Sequence, residues 1–394
     1  MLDRLLQART DSLMALGRLM QADPRPTKID LGVGTYRDET GAIPIMAAVK
    51  AAERELLIAQ TSKGYVGPSG DAEFCRRLQD AVLPDLAAEA DGRIARIQTP
   101  GGTGALRLAL QVVAQANPEA TVWVGVPTWP AHLPLIAACG LRAQTFAHLD
   151  AAGGLDGEAL RAALDQAQAG DVVLLHGCCH NPTGVDLTLQ DWTAAAAACV
   201  ERGLTPLIDL AYAGLGEGLE TDVRGVRAVL DACPTALVAL SCSKSFGLYR
   251  DRTAMLMLIG QASALTANIG QTAAGHARLL WSNPPDHGAA VVRIVLASTD
   301  LTRLWRQELD EIRDRVNGLR AAVAALPTAR LDLSPLARQS GIFALLPLTP
   351  EEVRTVRERH AVYLDDSGRI NVAGINAANM DTFTAAIMDA DLGF

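Results

Sequence analysis

Short apolar runs alternate with helical patterns through the middle of the chain. Five six-residue runs, rich in Val, Ile, Leu and Ala, are predicted as buried strands: 121–126, 171–176, 204–209, 236–241 and 254–259. Helical patterns separate the first four runs, at 157–168, 189–202 and 221–232. This alternation predicts an α/β fold with a mostly parallel central sheet and helices on both of its faces.

The two ends of the chain carry a different pattern. An amphipathic helix is predicted up to about Met20. Beyond Asp300 the pattern predicts a long charged helix, two strand-like pieces and a closing helix, at 301–326, 342–346, 370–372 and from about 377. We therefore predict a large domain at 45–300 and a smaller, discontinuous α+β domain formed by 1–44 and 301–394.

Composition narrows the class of protein. With 394 residues, 49% hydrophobic and 20% charged, the chain has the make-up of a globular protein with two packed units. The chain has 35 basic residues, only four of them Lys, and 44 acidic residues. The net charge of −9 and the absence of a block of basic residues argue against a nucleic-acid partner. The sequence contains no uninterrupted apolar span of about 20 residues, so no membrane helix is predicted. Residues 1–22 carry charges throughout, unlike a signal peptide. The odd number of cysteines, seven, favours reduced thiols over a disulfide framework, so we expect a cytoplasmic protein.

Glycines and polar residues follow the predicted strands, at the end of a sheet where ligands bind in open α/β folds. The segment Thr99-Pro-Gly-Gly-Thr-Gly-Ala105 opens a helix, where free N–H groups can bind a phosphate. A tight strand–helix turn also needs glycines, so this segment alone leaves both interpretations open. The segment His176-Gly-Cys-Cys-His-Asn-Pro-Thr-Gly184 could hold a metal ion through His and Cys. Because adjacent cysteines at a strand end point to opposite sides, we predict no metal site.

The four lysines differ in their surroundings. Lys50 lies in a helical pattern with acidic neighbours, and Lys28 and Lys63 lie in turn-like segments. Only Lys244 follows a buried-strand pattern, among hydroxyl residues. A lone lysine at a strand end is often a surface charge. A semi-buried lysine with a lowered pKa is, however, what imine chemistry requires.

A carboxylate at the end of the neighbouring strand changes the interpretation of Lys244. Asp209 could cap a helix, but it could also pair with a pyridinium nitrogen. An imine-forming lysine, such a carboxylate and a Gly/Ser/Arg anion site together are typical of a pyridoxal phosphate site. The sequence therefore predicts this cofactor.

The ordered set of motifs resembles the class I aminotransferases of the aspartate and aromatic amino acid group, within fold type I of the pyridoxal-phosphate enzymes. The motifs are HGCCHNPTG, DLAY, SCSKSFGLYRDR, WSNPPDHGA and GRINVAG. The resemblance covers nearly the whole chain, from Leu31 to Gly374. It implies a large domain with a mostly parallel sheet, a smaller α+β domain and a homodimer.

The resemblance also implies residue roles around the cofactor. Lys244 would bond to the cofactor and move the substrate proton, and Asp209 would keep the pyridine nitrogen protonated. Tyr212 and Asn181 would contact the phenolic oxygen of the cofactor, and Trp129 would stack on its ring. The phosphate would be bound by Gly102, Thr103, Ser241, Ser243 and Arg252. His132 and His176 would lie beneath the cofactor near Asp209, unless they are ordinary structural histidines. Tyr65 would reach the phosphate of the neighbouring subunit.

Two arginines would bind the substrate if the resemblance holds. Arg369 would pair with the α-carboxylate through its planar fork, and Arg278 would cross the dimer interface to a distal carboxylate. Other substrate contacts would come from Gly34, Trp129, Asn181 and Phe343. The chain departs from the expected pattern at Thr35, Ser245, Leu280 and Trp281. These departures leave the side-chain preference open.

The predicted function is ping-pong transamination between an aromatic or dicarboxylic L-amino acid (tyrosine, phenylalanine, aspartate or glutamate) and 2-oxoglutarate. A strict aspartate aminotransferase shares all these motifs and is the main alternative. A β-lyase or β-decarboxylase is disfavoured, because Arg278 and Arg369 are both retained. A non-catalytic ligand sensor is disfavoured, because only about 30 residues precede Leu31 and they contain no helix-turn-helix.

Overall fold

A central sheet and two small sheets organise the protein. The computed structural model describes residues 12–393. The strands in that range, numbered in chain order, are β1 Ile29–Asp30, β2 Ile94–Pro100, β3 Thr121–Val126, β4 Arg142–Ala147, β5 Val172–His176, β6 Thr205–Leu210, β7 Ala236–Ser241, β8 Thr253–Ile259, β9 Phe343–Leu345, β10 Val362–Tyr363 and β11 Arg369–Asn371. The helices are α1 Ser12–Ala22, α2 Ala47–Ala59, α3 Ala72–Val82, α4 Ala87–Ala90, α5 Gly101–Ala116, α6 His132–Ala138, α7 Gly157–Gln166, α8 Leu189–Arg202, α9 Leu219–Asp222, α10 Arg224–Ala232, α11 Ser263–Leu280, α12 His287–Ala297, α13 Thr299–Ala324, α14 Pro350–His360 and α15 Met380–Leu392.

The central sheet is mostly parallel, as the alternating pattern predicts. Its strand order is β2-β8-β7-β6-β5-β3-β4, and β8 runs antiparallel to both of its neighbours. Every residue of β5, β7 and β8 is buried, which explains their continuous apolar sequences. All five predicted strands are confirmed. Since β5, β6 and β7 are parallel, their carboxyl ends meet at one edge of the sheet, with His176 directly beside Asp209.

Some elements lie outside the sequence-based expectations. Strand β4 at the sheet edge and helices α11 and α12 were not predicted. The helix expected at 221–232 begins only at Arg224, because Leu219–Asp222 forms a separate short helix. Helix α1 continues to Ala22, and the part of the predicted N-terminal helix before Ser12 lies outside the described residues.

Two small sheets lie outside the central one. Strand β1 pairs in parallel with β10, and β9 pairs antiparallel with β11. The 26-residue helix α13 contacts α2 and α12. All four strands of the small sheets come from outside 45–300, in keeping with the two-domain division, which remains a proposal. Among residues 12–393, no helix has the length and apolar character needed to cross a membrane.

Candidate active site

A cleft opens at the carboxyl ends of β5, β6 and β7. It contains about 540 Å³ of space, part of it open to solvent, which is in the range of small-ligand sites. Its lining includes most residues predicted to bind a cofactor: Gly102, Thr103, Trp129, His176, Asn181, Asp209, Tyr212, Ser241, Ser243, Lys244 and Arg252. Residues from five separate segments of the sequence therefore converge on one cavity, at the place where open α/β sheets bind ligands.

Lys244 lies in this cavity, three residues after the end of β7. Its Nζ atom is 5.4 Å from the centre of the Tyr212 ring and 5.7 Å from the centre of the Tyr249 ring. Burial and the Arg252 charge together lower the pKa of the amine from 10.5 to about 8, against the opposing effect of Asp209. Near neutral pH the uncharged, nucleophilic form of Lys244 is therefore a minor species, but far more abundant than in an ordinary lysine.

Asp209 is buried at the end of β6 and belongs to a hydrogen-bonded chain. Its Oδ2 lies 3.2 Å from His132 Nε2, and Thr128 Oγ1 lies between His132 Nδ1 (2.8 Å) and His176 Nε2 (3.0 Å). Burial and the neighbouring His132 and His148 hold the pKa of His176 well below its usual value, so its ring is neutral.

One set of hydrogen-bond directions satisfies every member of this chain. The His132 Nε2–H donates to the carboxylate, which leaves Nδ1 as an acceptor for the Thr128 hydroxyl. The Thr128 oxygen then accepts from the Nε2–H of His176. The chain holds the Asp209 carboxylate as an acceptor beside the cavity. His132 and His176 thus lie where the resemblance implies, and Thr128, which the sequence analysis missed, joins them.

The N-terminus of α5 forms an anion site with β7 and the segment after it. Gly101 has φ +74°, and a Cβ there would lie only 2.3 Å from Arg252 Nη2, so the close approach needs glycine. Ser241 Oγ lies 3.1 Å from Ser243 Oγ, and the Arg252 Nη1 donates to Ser243 Oγ over 3.3 Å. Helix N–H groups, hydroxyls and a guanidinium together suit a phosphate. The sequence analysis named Gly102 but missed Gly101, although the Gly-Gly pair was visible.

Arg369 and Phe343 form the other wall of the site. The Arg369 guanidinium donates to Gly32 O over 3.0 Å and to Asn181 Oδ1 over 3.4 Å. Its carbon lies 4.5 Å from the centre of the Phe343 ring, and that ring meets Tyr212 edge-on at 6.3 Å. A Cβ at Gly34 would lie 2.6 Å from the Phe343 ring, so this position has room only for glycine. The pairing of β9 with β11 thus brings Arg369 against the cofactor cleft.

Two predicted residues do not reach this cleft within one chain. Tyr65 is 93% exposed, and Arg278, at the exposed end of α11, donates to Ser282 Oγ over 3.1 Å. Both are residues that the resemblance assigns to the site of a partner subunit.

Tyr249 is a further wall residue that the sequence analysis missed. Its hydroxyl accepts the backbone N–H of Tyr36 over 2.9 Å, which connects the Lys244 segment to the segment that carries Gly34. Burial raises the pKa of Tyr249 to about 12, so the phenol stays protonated. Its place within the SCSKSFGLY motif was the available signal.

The cleft offers partners for each part of pyridoxal phosphate. The Lys244 amine, with its lowered pKa, suits the aldehyde. The Asp209 carboxylate, hydrogen-bonded to His132, suits a protonated ring nitrogen. The anion site of glycine, serine and arginine residues suits the phosphate. Trp129, half-buried at the cleft, supplies an aromatic face. The residues present therefore fit this cofactor.

Comparison with known proteins gives one consistent result. The family "Aminotransferase class I and II" matches residues 26–387. A tyrosine aminotransferase of Rhizobium meliloti is 47% identical over 96% of this chain and 97% of its own length. An aspartate aminotransferase of Salmonella typhi is 42% identical over 98% and 99%. The crystal structure of an aromatic-amino-acid aminotransferase from Burkholderia pseudomallei, covalently bound to pyridoxal phosphate, matches with a TM-score of 0.96, 36% identity and 99% coverage of both chains.

Proposed function

The chain belongs to the class I and II aminotransferases, and on that premise we propose that it exchanges amino and oxo groups between an aromatic or dicarboxylic L-amino acid and 2-oxoglutarate. Membership of the family confirms the predicted fold type I architecture, the enzyme class and the pyridoxal phosphate cofactor. The observation that carries the proposal is the Lys244 amine, which shares one cleft with Asp209, the phosphate cradle and Asn181, the hydrogen-bond partner of Arg369.

Lys244 and Asp209 carry out the central chemistry in this proposal. When bound, pyridoxal phosphate supplies an aldehyde that takes up the donor's amino group for transfer to the acceptor, and a ring that withdraws electrons from the substrate Cα. Asp209, oriented by His132, holds the proton on the ring nitrogen. Lys244 would take the proton from Cα and deliver it to the cofactor C4′, a task that suits an amine with a pKa of about 8.

Arg369 positions the substrate for this proton transfer. A buried guanidinium beside Asn181 and the Phe343 ring suits the bidentate binding of an α-carboxylate. That contact directs Cα towards Lys244, and the apolar Phe343 and Tyr212 walls exclude water from the reacting atoms.

The proposed substrate range rests on the relatives and on the residues near Arg278. Relatives that cover nearly the whole chain are named as tyrosine, aromatic-amino-acid and aspartate aminotransferases. Arg278 suits a distal carboxylate, and the adjoining Leu280 and Trp281 offer apolar surface to an aromatic side chain. A strict aspartate enzyme is not favoured by this combination.

Steady-state kinetics test the proposed substrates. We expect parallel double-reciprocal plots with 2-oxoglutarate as acceptor, comparable kcat/KM for tyrosine, phenylalanine and aspartate, and no turnover in Lys244→Ala. An aspartate kcat/KM far above the aromatic values would reject the broad substrate range. Normal turnover in Lys244→Ala would reject the mechanism.

We further propose that the enzyme is a homodimer that shares its active sites, and that it is cytoplasmic. Leu57, Ile58 and Leu279 are large apolar side chains that are each 84% exposed, as residues covered by a second copy would be. Leu279 directly follows Arg278 in the sequence, and Tyr65 is also highly exposed. The cytoplasmic location is supported by the cysteines, all seven of which are free thiols.

Mixing two defective variants tests the shared site. Refolded together, Lys244→Ala and Arg278→Ala form about half heterodimers, each with one site that has both native residues. With aspartate as donor we expect about a quarter of the wild-type activity, because about a quarter of all sites are then intact. Activity equal to the average of the two parents would contradict the sharing of Arg278.

A further inference from the structure

Three buried metal-ligating side chains converge outside the cofactor cleft. Cys178 and Cys179 follow β5, and Asp222 is the last residue of α9. The two thiol sulphurs and a carboxylate oxygen of Asp222 all lie within 4.8 Å of one another. The proposed transamination assigns no role to these three residues.

The backbone at Cys179 explains why the two thiols face the same region. In an extended strand, successive side chains point to opposite sides, and this was the reason to expect no metal site. Cys179, however, has φ +52°, in the left-handed region, so the strand rule does not apply to it. His176 and His180 lie elsewhere: His176 bonds to Thr128, and the His180 ring stacks on His148 at 3.7 Å.

The Asp222 carboxylate is already oriented by backbone donors. Its Oδ2 accepts the N–H groups of Gly214 (2.8 Å) and Gly216 (3.0 Å), and its Oδ1 accepts that of Glu217 (2.7 Å). Oδ1 thus keeps a lone pair for another partner. A Cβ at Gly216 would lie 2.7 Å from this Oδ1 and 3.3 Å from Cys179 Sγ, so both ligand atoms face the same point.

A solvent-filled cleft leads to the cluster. It contains about 920 Å³ of space, and Cys178 and Asp222 belong to its lining together with Asp186 and Glu217. Among the described residues, it shares no lining residue with the cofactor cleft. An ion could therefore enter from solvent, and a water molecule could occupy a fourth coordination position.

We propose that Cys178, Cys179 and Asp222 bind one thiophilic divalent cation of the Zn²⁺ and Cd²⁺ class. Two thiolates and one carboxylate are a ligand set for such ions, whereas Mg²⁺ and Ca²⁺ prefer oxygen ligands alone. The three ligands carry three negative charges, so the bound cation leaves a single negative charge. The nearby Arg320 guanidinium opposes that charge, whereas the nearby Asp186 carboxylate adds to it.

Binding of the cation must release protons. Cysteine binds such an ion as a thiolate and not as a thiol. Any thiol that is protonated in the metal-free protein must therefore lose its proton when the ion binds. The apparent affinity should therefore rise with pH.

Titration of the holoenzyme with Cd²⁺ tests the site. We expect one ion per chain and the ultraviolet charge-transfer band of thiolate–cadmium bonds, with Zn²⁺ displacing it. Cys178→Ser and Cys179→Ser should each weaken binding at least about 100-fold, and Asp222→Asn at least about 10-fold, because loss of a direct ligand outweighs loss of an outer-shell contact. The cofactor absorbance of each variant confirms that it is folded.

Another thiol pair provides the matched control. Cys199 and Cys233 are buried and interact with each other, but neither belongs to the cluster with Asp222. Cys199→Ser should leave the Cd²⁺ band and affinity unchanged. The proposal is overturned if equimolar Cd²⁺ gives no band with the wild type, if Cys178→Ser or Cys179→Ser retains it, or if Cys199→Ser removes it.

Discussion

Replacing Lys244 with Met should stabilise the cofactor-free protein below about pH 8. The buried amine has its pKa lowered from 10.5 to about 8 by burial and by Arg252. Below pH 8 the lysine is charged in both the folded and the unfolded chain, so the folded state bears the full unfavourable energy of a buried ammonium. Above about pH 10.5 it is neutral in both states, and the difference disappears.

The size of the effect follows from the pKa. Each pH unit between the folded and unfolded values corresponds to about 1.4 kcal/mol, so the buried charge destabilises the cofactor-free protein by about 3 kcal/mol. This is an upper bound, because part of the Lys244 side chain faces the open cleft. Methionine keeps most of the side-chain volume and removes the charge. The free energy of unfolding of Lys244→Met should exceed that of the wild type by up to about 3 kcal/mol at pH 7.5 and match it near pH 10.5.

Denaturant unfolding of both cofactor-free proteins at pH 7.5, 9 and 10.5 measures this difference. Lys50→Met is the matched control, since Lys50 is exposed on α2 and pairs with Glu53 over 2.7 Å. It should change the free energy of unfolding by about 0.5 kcal/mol or less at each pH. A Lys244→Met protein that is less stable than the wild type at pH 7.5, or a difference that does not vary with pH, would refute the reasoning.

Two further variants address the site and its support. Asp209→Asn retains a hydrogen-bond acceptor for His132 but loses the negative charge. We therefore expect kcat to fall about 1,000-fold while the cofactor absorbance persists. An unchanged kcat would contradict the role of the charge. Arg320 is buried and donates to the carbonyls of residues 340, 341 and 343, so urea unfolding of Arg320→Met should show a loss of at least about 3 kcal/mol. The exposed Arg303, paired with Asp300 over 2.6 Å, is the control, and Arg303→Met should change stability by about 0.5 kcal/mol or less; equal losses in both variants would contradict this account.

The central sheet was predictable because its strands are buried on both faces. Strands β5, β7 and β8 read as continuous apolar runs in the sequence, and no helix of that length would be stable alone. Strand β4 was missed because it lies at the sheet edge and most of its side chains are exposed. Its sequence, RAQTFA, has no apolar alternation, so only pairing with β3 makes it a strand.

The candidate site residues that could be predicted are those whose role is indicated by neighbouring residues in the sequence. Lys244 was selected by elimination among four lysines, and Asp209 by its position at the end of a predicted strand. The partners of Arg369 come from segments more than 180 residues away along the chain, so only the family resemblance could place them. Thr128 was missed because a hydroxyl between two imidazole rings is a relation that exists only in the folded chain.

The cysteine pair shows where pattern rules fail. The rule that adjacent side chains alternate holds while φ and ψ stay extended, and Cys178 lies only two residues beyond β5. A single left-handed residue, Cys179, ends that regularity and brings two thiols to one side. In open α/β proteins the functional residues follow the strand ends, where the backbone leaves the regular geometry on which such rules depend. Sequence patterns therefore locate the edge of the sheet that carries the chemistry better than they orient the side chains there.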